Sequence, residues 1–467
     1  MIQFYNTYSR TIEPFRPIDP AGKQVKMYTC GPTVYSYAHI GNLRTFLFED
    51  LLQRHLEARG LVVDRVMNLT DVDDKTIRDS RAAGEPLPKF TSRFIRAFHD
   101  DVATLRIKPA SSYPAATEPA NISRMIEIIG ALLEHDYAYQ AEDRSIYFRI
   151  NRFAQYGHLA HLNLEELRPS GRVRSDEYEK ESIGDFALWK AWDEEDGDVG
   201  WESPWGRGRP GWHIECSAMA TRLLGPQIDI HCGGVDNIFP HHEAEIAQSE
   251  CFTGEQFVRY WLHSAHLLVE GQKMSKSLGN FYTLRDLLNK GFTGREVRYA
   301  LIQVNYRLQL NFTFDGMNAA RQSLHRIDEW LERLRALAGK HPADPNYLPA
   351  QSDGFFAALD DDLNISAALA ELFEQIRATN RAMDNEKLAP GEAAALLRWW
   401  EKINQILQLQ GDEESVSAEV RELLEKRSAA RAAKDWPASD AIRKQIEELG
   451  WIVKDTKDGQ KLTKKIA

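Results

Sequence analysis

The sequence has few cysteines and no long apolar segment. Its 467 residues include four cysteines, Cys30, Cys216, Cys232 and Cys251. So few thiols in so long a chain argue against a disulfide framework and favour metal binding or catalysis. No apolar run is long enough to span a bilayer, and the N-terminus lacks the basic and apolar regions of a signal peptide. We therefore expect a cytoplasmic protein without a membrane partner.

The composition is that of a globular enzyme with an acidic body. Hydrophobic residues make up 43% and charged residues 27%, and the length predicts one large domain with smaller modules. The formal net charge is −11, but residues 421–467 carry twelve Lys/Arg and eight Asp/Glu, a local charge of +4. A basic end suits local binding of a polyanion. Charge alone nevertheless favours a solvated, charged helix.

The first half of the chain predicts strands that alternate with helices. Apolar spacing indicates strands at residues 25–28 and 61–68, with a helix between them at residues 42–59. A strand–helix–strand unit whose first turn suits phosphate binding is typical of the start of a doubly wound nucleotide-binding domain. The later elements expected are a helix at 118–135, a strand at 145–150, a loop with short elements at 163–206, a helix at 212–224, a strand at 228–231, a turn at 232–234 and a helix from Pro240.

The second half predicts a helical bundle and a small terminal hairpin. Apolar stripes at helical spacing are typical of a bundle, and they occur at residues 316–338, 354–384, 390–410 and 416–449. Residues 451–465 indicate a strand pair around an Asp-Gly turn. The aromatics Trp399, Trp400, Trp436 and Trp451 suit base stacking, but each is more typical of a core.

Residues 39–42 (His-Ile-Gly-Asn) form a first motif with candidate phosphate chemistry. They follow a strand and begin a helix, whose free N–H groups and dipole attract phosphate. Gly41 lets a flat base approach the backbone, and His39 is a candidate donor to phosphate oxygens. On these four residues alone, a helix cap with a surface histidine is the preferred interpretation.

The second motif is a pair of lysines on a loop flanked by glycines. Lys273 and Lys276 are separated by Met-Ser, between Gly271 and Gly279. Such a loop suits a mobile clamp on a polyphosphate. A solvated basic loop has the same composition.

The two motifs together resemble the signatures of class I aminoacyl-tRNA synthetases, usually His-Ile-Gly-His and Lys-Met-Ser-Lys-Ser. Asn42 stands at the fourth position of the first signature. The resemblance implies catalytic roles for His39, Asn42, Lys273 and Lys276. It implies ATP binding by the same four residues and Gly41.

Candidate metal ligands are scattered along the chain. Cys30 follows the first strand and Cys216 lies in a predicted helix. His241 and Glu245 are four residues apart, so they share a helix face. Two thiolates, an imidazole and a carboxylate are good zinc ligands. Two buried cysteines and a polar helix start would have the same sequence.

Four longer segments resemble cysteinyl-tRNA synthetases. They are residues 30–35 (Cys-Gly-Pro-Thr-Val-Tyr), 68–75 (Asn-Leu-Thr-Asp-Val-Asp-Asp-Lys), 211–219 (Gly-Trp-His-Ile-Glu-Cys-Ser-Ala-Met) and 239–243 (Phe-Pro-His-His-Glu). The likeness covers nearly the whole chain in unbroken order. It implies one zinc ion per chain, held by the residues matching Cys30, Cys216, His241 and Glu245. His242 is an adjacent rival that the helix-face argument does not exclude.

Zinc has a physical use in selecting cysteine. Cysteine and serine differ by one atom, and a pocket that only fits the shape rejects such an analogue weakly, by ~10²-fold. A borderline-soft metal binds thiolate directly and lowers its pKa, which a hydroxyl does not match. A separate editing site is then unnecessary, and no segment suggests one.

The resemblance also implies further binding residues. Gly31, Thr70 and Trp212 match positions that line the amino-acid pocket. Gly234 and Asp236 match the loop that meets the ATP ribose. The alternative interpretation of Trp212 is an aromatic residue of the core. The alternative for residues 234–236 is a simple turn without a binding role.

Two features remain open. Asp71, Asp73 and Asp74 are candidates for holding magnesium, although an acidic helix start is the simpler interpretation. Cys232 stands where the family usually has glycine, which puts the local loop geometry in doubt and suggests an extra thiol near the metal.

The resulting expectation is a Rossmann-type doubly wound parallel sheet with an insertion, then an α-helical bundle and a small C-terminal α+β domain. The expected bounds are 1–315, with an insertion for the tRNA acceptor end at 85–205, then 316–410 and 411–467, the last binding the anticodon. The resemblance implies a monomeric ligase that activates L-cysteine with ATP and Mg²⁺ and transfers it to its tRNA. The alternatives are a ligase joining cysteine to an amino sugar, as in mycothiol synthesis, and a catalytically silent tRNA-binding protein.

Overall fold

The computed structural model describes residues 1–162, 184–275, 278–411, 418–456 and 459–464. Contacts divide the chain into two compact units, Met1–Leu409 and Gln410–Ala467. Among the described residues, no helix is both long and apolar enough to cross a membrane.

The strands are, in chain order, β1 (Gln3–Asn6), β2 (Thr11–Pro14), β3 (Gln24–Thr29), β4 (Val62–Met67), β5 (Ala138–Gln140), β6 (Ile146–Phe148), β7 (Phe186–Ala191), β8 (Gly208–Pro210), β9 (Ile228–Gly234), β10 (Val258–Ser264), β11 (Leu267–Val269), β12 (Gln272–Lys273), β13 (Leu310–Phe312), β14 (Trp451–Thr456) and β15 (Gly459–Lys464). The α-helices are α1 (Ile40–Ala58), α2 (Asp74–Ala82), α3 (Leu87–Thr104), α4 (Pro119–Glu134), α5 (Trp212–Leu224), α6 (Glu243–Thr253), α7 (Leu284–Asn289), α8 (Gly294–Ile302), α9 (Phe314–Ala338), α10 (Ser352–Asp360), α11 (Ile365–Asp384), α12 (Pro390–Leu407), α13 (Ala418–Ala432) and α14 (Trp436–Glu448).

A parallel sheet in the order β4-β3-β9-β10 forms the centre of the first unit. Apolar residues of α1 pack on one face of this sheet, and those of α5 and α6 pack on the other. The chain order reverses between β3 and β9. Ligands of such sheets bind beyond the carboxyl ends of the strands at the reversal. The predicted α/β fold with a parallel sheet is confirmed.

The turn predicted at residues 232–234 is wrong. These residues extend β9, where Cys232 pairs with Leu262 and Gly234 with Ser264. Glycines can continue a ladder there because parallel pairing uses only backbone groups. The helix expected from Pro240 begins as a π-helical turn, Ile238–His242, and becomes the regular α6 at Glu243.

An antiparallel sheet, β5-β6-β7-β8, lies in the sequence between β4 and α5. The strand predicted at residues 145–150 corresponds to β6. The loop with short elements predicted at residues 163–206 contains one such element, β7, whose Leu188 and Trp189 are buried. This short apolar run was obscured by its charged, Gly-rich surroundings. Residues 163–183 lie outside the described residues.

The helical region contains one break that the apolar pattern did not predict. The helix expected at residues 354–384 is two helices, α10 and α11, because Asp362 and Leu363 have positive φ angles of 56° and 50°. The Asp362 carboxylate accepts hydrogen bonds from Tyr5 N at 2.8 Å and Tyr306 Oη at 2.7 Å, so the break is anchored to the central domain.

The C-terminal unit is a helix pair with a β-hairpin. The segment with helical spacing at residues 416–449 forms two helices: Asp435 lies between them and caps α14, since its carboxylate accepts from Ala438 N at 3.1 Å. Strands β14 and β15 pair antiparallel as predicted. Val420, Ile446 and Val453 form the core of this unit.

Candidate active site and metal centre

The candidate site lies where the order of the central sheet reverses. Cys30 follows β3, and Gly234 ends β9 two residues before Asp236. Helix α5 supplies Trp212 and Cys216, and α6 with its preceding π-helical turn supplies His241 and Glu245. Parallel pairing of β3 with β9 brings these distant segments to one edge.

Four predicted metal ligands meet in one buried cluster. Single donor atoms of Cys30, Cys216, His241 and Glu245 all lie within 4.8 Å of one another, and each residue is at most 8% exposed. His241 Nε2 lies 3.1 Å from Glu245 Oε1, yet this oxygen makes no hydrogen bond. Two donors that lie side by side without bonding suit a cation between them. The donor set is compatible with zinc.

A second set of donors overlaps the first. Cys30, His231, His242 and Glu245 also lie within 4.8 Å of one another. In this set each histidine makes a hydrogen bond to one of the other members: Cys30 Sγ is 3.3 Å from His242 Nε2, and His231 Nε2 is 2.9 Å from Glu245 Oε2. Hydrogen bonds of this kind orient ligands from outside a metal site.

Further histidines surround the cluster. Hydrogen bonds join His213 Nδ1 to His241 Nδ1 at 3.0 Å and His242 Nδ1 to His263 Nε2 at 2.8 Å. Burial lowers the pKa of His213, His241 and His263 to about 3, so these rings are neutral, the form that binds metals. A hydrogen bond with Cys216, and then burial, raises the pKa of Cys30 well above that of a free thiol. Its thiolate therefore needs a cation beside it.

Sequence reasoning missed His213, His231 and His263. The available signal was histidine inside apolar strands: His231 lies in β9 and His263 in β10, and both are buried. A buried histidine in a strand requires a polar partner. Which face it occupies depends on the register with neighbouring strands.

The residues expected to bind the amino acid lie beside the cluster or on its neighbouring loops. The Trp212 ring stacks on His241, with centroids 4.4 Å apart and planes at 26°. Asn68 links the other two: its Oδ1 accepts from Gly31 N at 2.9 Å, and its Nδ2 donates to Thr70 Oγ1 at 3.1 Å. A Cβ on Gly31 would lie 1.8 Å from the carbonyl oxygen of Asn68, so only glycine fits there.

The two phosphate motifs meet in the structure. A Cβ on Gly41 would lie 3.4 Å from Met274 Cε, and Ile40 N donates to Tyr282 O at 2.9 Å. His39 caps α1, where its Nδ1 accepts from Gly41 N at 3.1 Å and Asn42 N at 3.2 Å. The expectation that this helix start offers free N–H groups is therefore wrong for these two amides. Because Nδ1 accepts, the ring proton lies on Nε2.

Asn42 and the lysine loop are held by local hydrogen bonds. Asn42 Oδ1 accepts from His39 N at 3.2 Å. The Asn280 side chain bonds to two backbone groups of the loop: its Oδ1 accepts from Ser275 N at 2.8 Å, and its Nδ2 donates to Lys273 O at 3.2 Å. Lys273 is exposed at the end of β12. Lys276 lies outside the described residues.

The loop after β9 has an exposed carboxylate. Asp236 is exposed, and a Cβ on Gly234 would lie 2.3 Å from its Oδ1. A side chain at this position would displace the carboxylate, which folds back over Gly234. The loop therefore presents an acceptor beside the site.

The three aspartates at α2 bind protein groups. Asp71 accepts from Thr117 N at 3.0 Å and Thr117 Oγ1 at 2.6 Å. Asp73 caps α2, and Asp74 pairs with Lys190 at 2.9 Å and with Arg209. These contacts support the interpretation of an acidic helix start.

Cys232 lies away from the metal cluster. Its side chain packs in the apolar cluster on the α1 side of the sheet, with Met27, Phe48 and Leu262. His231, the neighbouring residue, contacts the opposite side because side chains alternate along a strand. The expectation of an extra thiol near the metal is wrong.

Three family models match the chain. The class I (C) catalytic domain of tRNA synthetases matches residues 16–322, the DALR domain matches residues 354–411, and the anticodon-binding domain of cysteinyl-tRNA ligase matches residues 413–461. The cysteine–tRNA ligase of Chlamydia felis is 50% identical over 99% of this chain and 98% of its own length. That of Protochlamydia amoebophila is 48% identical over the same shares.

Solved structures resemble the fold at low sequence identity. A methionyl-tRNA synthetase of Mycobacterium tuberculosis in complex with methionyl-adenylate has a TM-score of 0.62, with 13% identity over 83% of this chain and 92% of that chain. The LeuRS–tRNA–LeuAMS ternary complex of Agrobacterium radiobacter K84 has a TM-score of 0.63, with 13% identity over 85% of each chain. At this identity the likeness concerns the fold alone.

Proposed function

The chain belongs to the cysteine–tRNA ligase family of class I tRNA synthetases, and we propose from this premise how its site joins L-cysteine to tRNA. In the first step the carboxylate of cysteine attacks the α-phosphate of ATP, and pyrophosphate leaves. In the second step a hydroxyl of the terminal ribose of tRNA, usually the 2′-OH in this class, attacks the adenylate carbonyl, and AMP leaves. No protein nucleophile is required, so catalysis comes from positioning and charge stabilisation.

The observation that carries the proposal is the buried cluster of two cysteines, a histidine and a glutamate. Cys30, Cys216, His241 and Glu245 would hold one zinc ion per chain, since this donor set suits zinc. Zinc bound there would supply selectivity for a thiolate over the hydroxyl of serine. His231 and His242 orient the ligands instead, because their ring nitrogens already bond to Glu245, Cys30 and His263.

Trp212, Thr70 and Gly31 bind the amino acid. Trp212 stacks on His241 and so fixes the imidazole ring of this metal ligand. The indole also closes one side of the space beside the cluster. The small Gly31 lets backbone groups approach the substrate. Thr70 is oriented by Asn68. These residues hold cysteine with its thiol toward the cluster.

His39, Lys273 and Lys276 stabilise charge on the phosphates of ATP, with Mg²⁺ as counterion. His39 acts through the proton on Nε2, because its Nδ1 caps α1. Asn42 acts indirectly by holding the backbone of His39. Gly41 leaves room for Met274 and for the base, and Gly234 and Asp236 meet the ribose.

The two units divide the binding of tRNA. The first unit positions the acceptor end, with help from the insertion at residues 85–205, and residues 411–467 bind the anticodon. An exposed aromatic supports the second assignment: Trp436 is 54% exposed, and the Arg431 guanidinium lies 5.4 Å from its ring centroid. Aromatic rings beside cations stack on unpaired bases. The enzyme acts as a cytoplasmic monomer.

Two activities measured together test this assignment. Exchange between ATP and pyrophosphate that depends on cysteine reports the first step, and charging of tRNA reports the second. Both should require zinc. Exchange without charging would fit a cysteine ligase for another acceptor, such as an amino sugar, and loss of both would fit a silent tRNA-binding protein. No finding favours either alternative.

A further inference from the structure

The C-terminal end of α12 is held by an unusual number of arginines. A helix leaves its last four carbonyls without partners inside the helix. Here five consecutive carbonyls, those of residues 405–409, each accept a hydrogen bond from an arginine side chain. The donors are Arg54 to Gln405 at 3.1 Å, Arg298 to Ile406 at 3.4 Å and to Leu407 at 2.7 Å, Arg106 to Gln408 at 3.2 Å, and Arg295 to Leu409 at 2.6 Å. We call these four arginines the arginine clamp.

Asp50 fixes the geometry of the clamp. It is fully buried on α1, and its Oδ2 accepts from Arg298 Nη2 at 2.6 Å. Both of its oxygens accept from Arg54 Nε, at 2.9 and 3.0 Å, and Oδ1 also accepts from Lys108 N at 2.7 Å. A carboxylate with this many donors holds both guanidinium groups in one orientation. The clamp is therefore a rigid part of the first unit.

The clamp connects α12 to the helix that begins the first phosphate motif. Arg54 and Asp50 lie on α1, whose N-terminal cap is His39. A helix rises 1.5 Å per residue, so Arg54 is about 18 Å along the axis from Asn42. One continuous helix therefore joins the clamp to the residues that cap its start.

The clamped residues are the last of the first unit. Leu409 ends that unit, and the chain continues at Gln410 into the C-terminal unit. The last turn of α12, just before the attachment of the C-terminal unit, is thus bonded to α1 through Arg54 and Gln405 O. Capping of α12 alone would not require donors from α1.

We propose that Arg54, oriented by Asp50, is a positioning residue for aminoacyl transfer. When tRNA occupies the C-terminal unit, Arg54 couples that occupancy to the placement of His39 and Asn42. The inference rests on the proposed binding of the anticodon by residues 411–467. A coupling of this kind changes the transfer rate for full-length tRNA, whose anticodon reaches the C-terminal unit. It leaves unchanged the rate for a minihelix that contains only the acceptor arm.

Arg54→Lys tests this role without removing a charge. Lysine keeps the ion pair with Asp50, but its single ammonium does not reproduce the planar fork that joins Asp50, Gln405 O and Arg106 O. Arg295→Lys is the matched control. Arg295 also pairs with an aspartate, Asp328, and donates to the same chain end, but it lies on α8 and its aspartate partner lies on α9 instead of α1.

The experiment compares the single-turnover rate of transfer from preformed cysteinyl-adenylate to saturating tRNA and to saturating minihelix. Couplings between sites are typically 5- to 150-fold, so we expect Arg54→Lys to lower the ratio of the two rates by about 5-fold or more. Exchange activity and minihelix charging should stay near wild type, and Arg295→Lys should keep the wild-type ratio.

Other outcomes overturn the inference. The ratio of the two rates could stay unchanged in Arg54→Lys, or exchange, minihelix charging and tRNA charging could all fall in proportion. Either result would show that the arginine clamp only caps α12. An equal fall of the ratio in both variants would exclude the route through α1. Equal saturating rates for tRNA and minihelix in the wild-type enzyme would refute the coupling alone, whereas equal Michaelis constants for the two would refute the anticodon-binding role of residues 411–467, and the inference with it.

Discussion

Replacement of Cys216 by serine tests the metal assignment most directly. Cys216 is 1% exposed, and its sulfur lies within 4.8 Å of the donors of Cys30, His241 and Glu245. Serine keeps the shape but replaces a soft thiolate with a hydroxyl that remains protonated. Changes in groups that only orient ligands weaken metal binding ~10- to 100-fold. Loss of a ligand should therefore weaken zinc binding more than about 100-fold, or about 3 kcal/mol.

Two other variants calibrate that effect. Cys232→Ser changes an equally buried thiol on the other side of the sheet. It should lose about 1–3 kcal/mol of stability from a buried hydroxyl but keep its zinc. His231→Gln removes a partner of Glu245 Oε2 and should weaken zinc binding by the smaller ~10- to 100-fold.

The assay is zinc content after dialysis against chelators of graded affinity, with circular dichroism to check folding and with cysteine-dependent exchange measured on the same samples. The expected order of zinc retention is wild type and Cys232→Ser, then His231→Gln, then Cys216→Ser. Retention of one zinc ion at wild-type affinity by Cys216→Ser would remove this residue from the site. Loss of zinc by Cys232→Ser but not by Cys216→Ser would refute the placement of Cys232 on the side of the sheet away from the metal cluster.

Three further predictions concern ATP and tRNA. Lys276→Ala should slow adenylation by ~10²- to 10³-fold, as removal of a charge-stabilising donor does, with little change in the Michaelis constant for cysteine; an unchanged rate would leave the lysine no catalytic role. A chain ending at residue 411 should keep exchange activity but charge tRNA with a raised Michaelis constant, and a parallel loss of both activities would assign the C-terminal unit a purely stabilising role. Trp436→Ala should weaken tRNA in a filter-binding assay by about 1–3 kcal/mol through lost stacking, whereas Trp451→Phe, a change at a half-buried ring against the core of the unit, should not; equal binding by both variants would exclude stacking on Trp436.

The tryptophans show where prediction of burial from the apolar pattern succeeded and where it failed. Trp399 and Trp400 are buried in the bundle as expected, at 5% and 1% exposed, but Trp436 is not a core residue. Its exposure follows from the break at Asp435, which begins a new helix at Trp436. A continuous apolar stripe did not reveal that break, because the capping interaction of one aspartate decides it.

The sequence by itself determined what depends on short separations along the chain. Apolar spacing predicted the strands and helices around the first motif, and the four-residue separation put His241 and Glu245 on one helix face, where their side chains lie 3.1 Å apart. Resemblance to a family named the remaining candidates. Local spacing was enough in these cases because a helix or strand fixes the direction of its own side chains.

Only the tertiary structure decided which distant residues meet. Cys30 and Cys216 join His241 because β3 pairs with β9 and because α5 packs on the same face of the sheet. The extension of β9 through Gly234 turned His231 toward the cluster and Cys232 away from it, contrary to the turn that the glycines predicted. Side chains alternate along a strand, so their faces are set by where pairing with β3 and β10 begins and ends, and that pairing is made by residues far away in the chain.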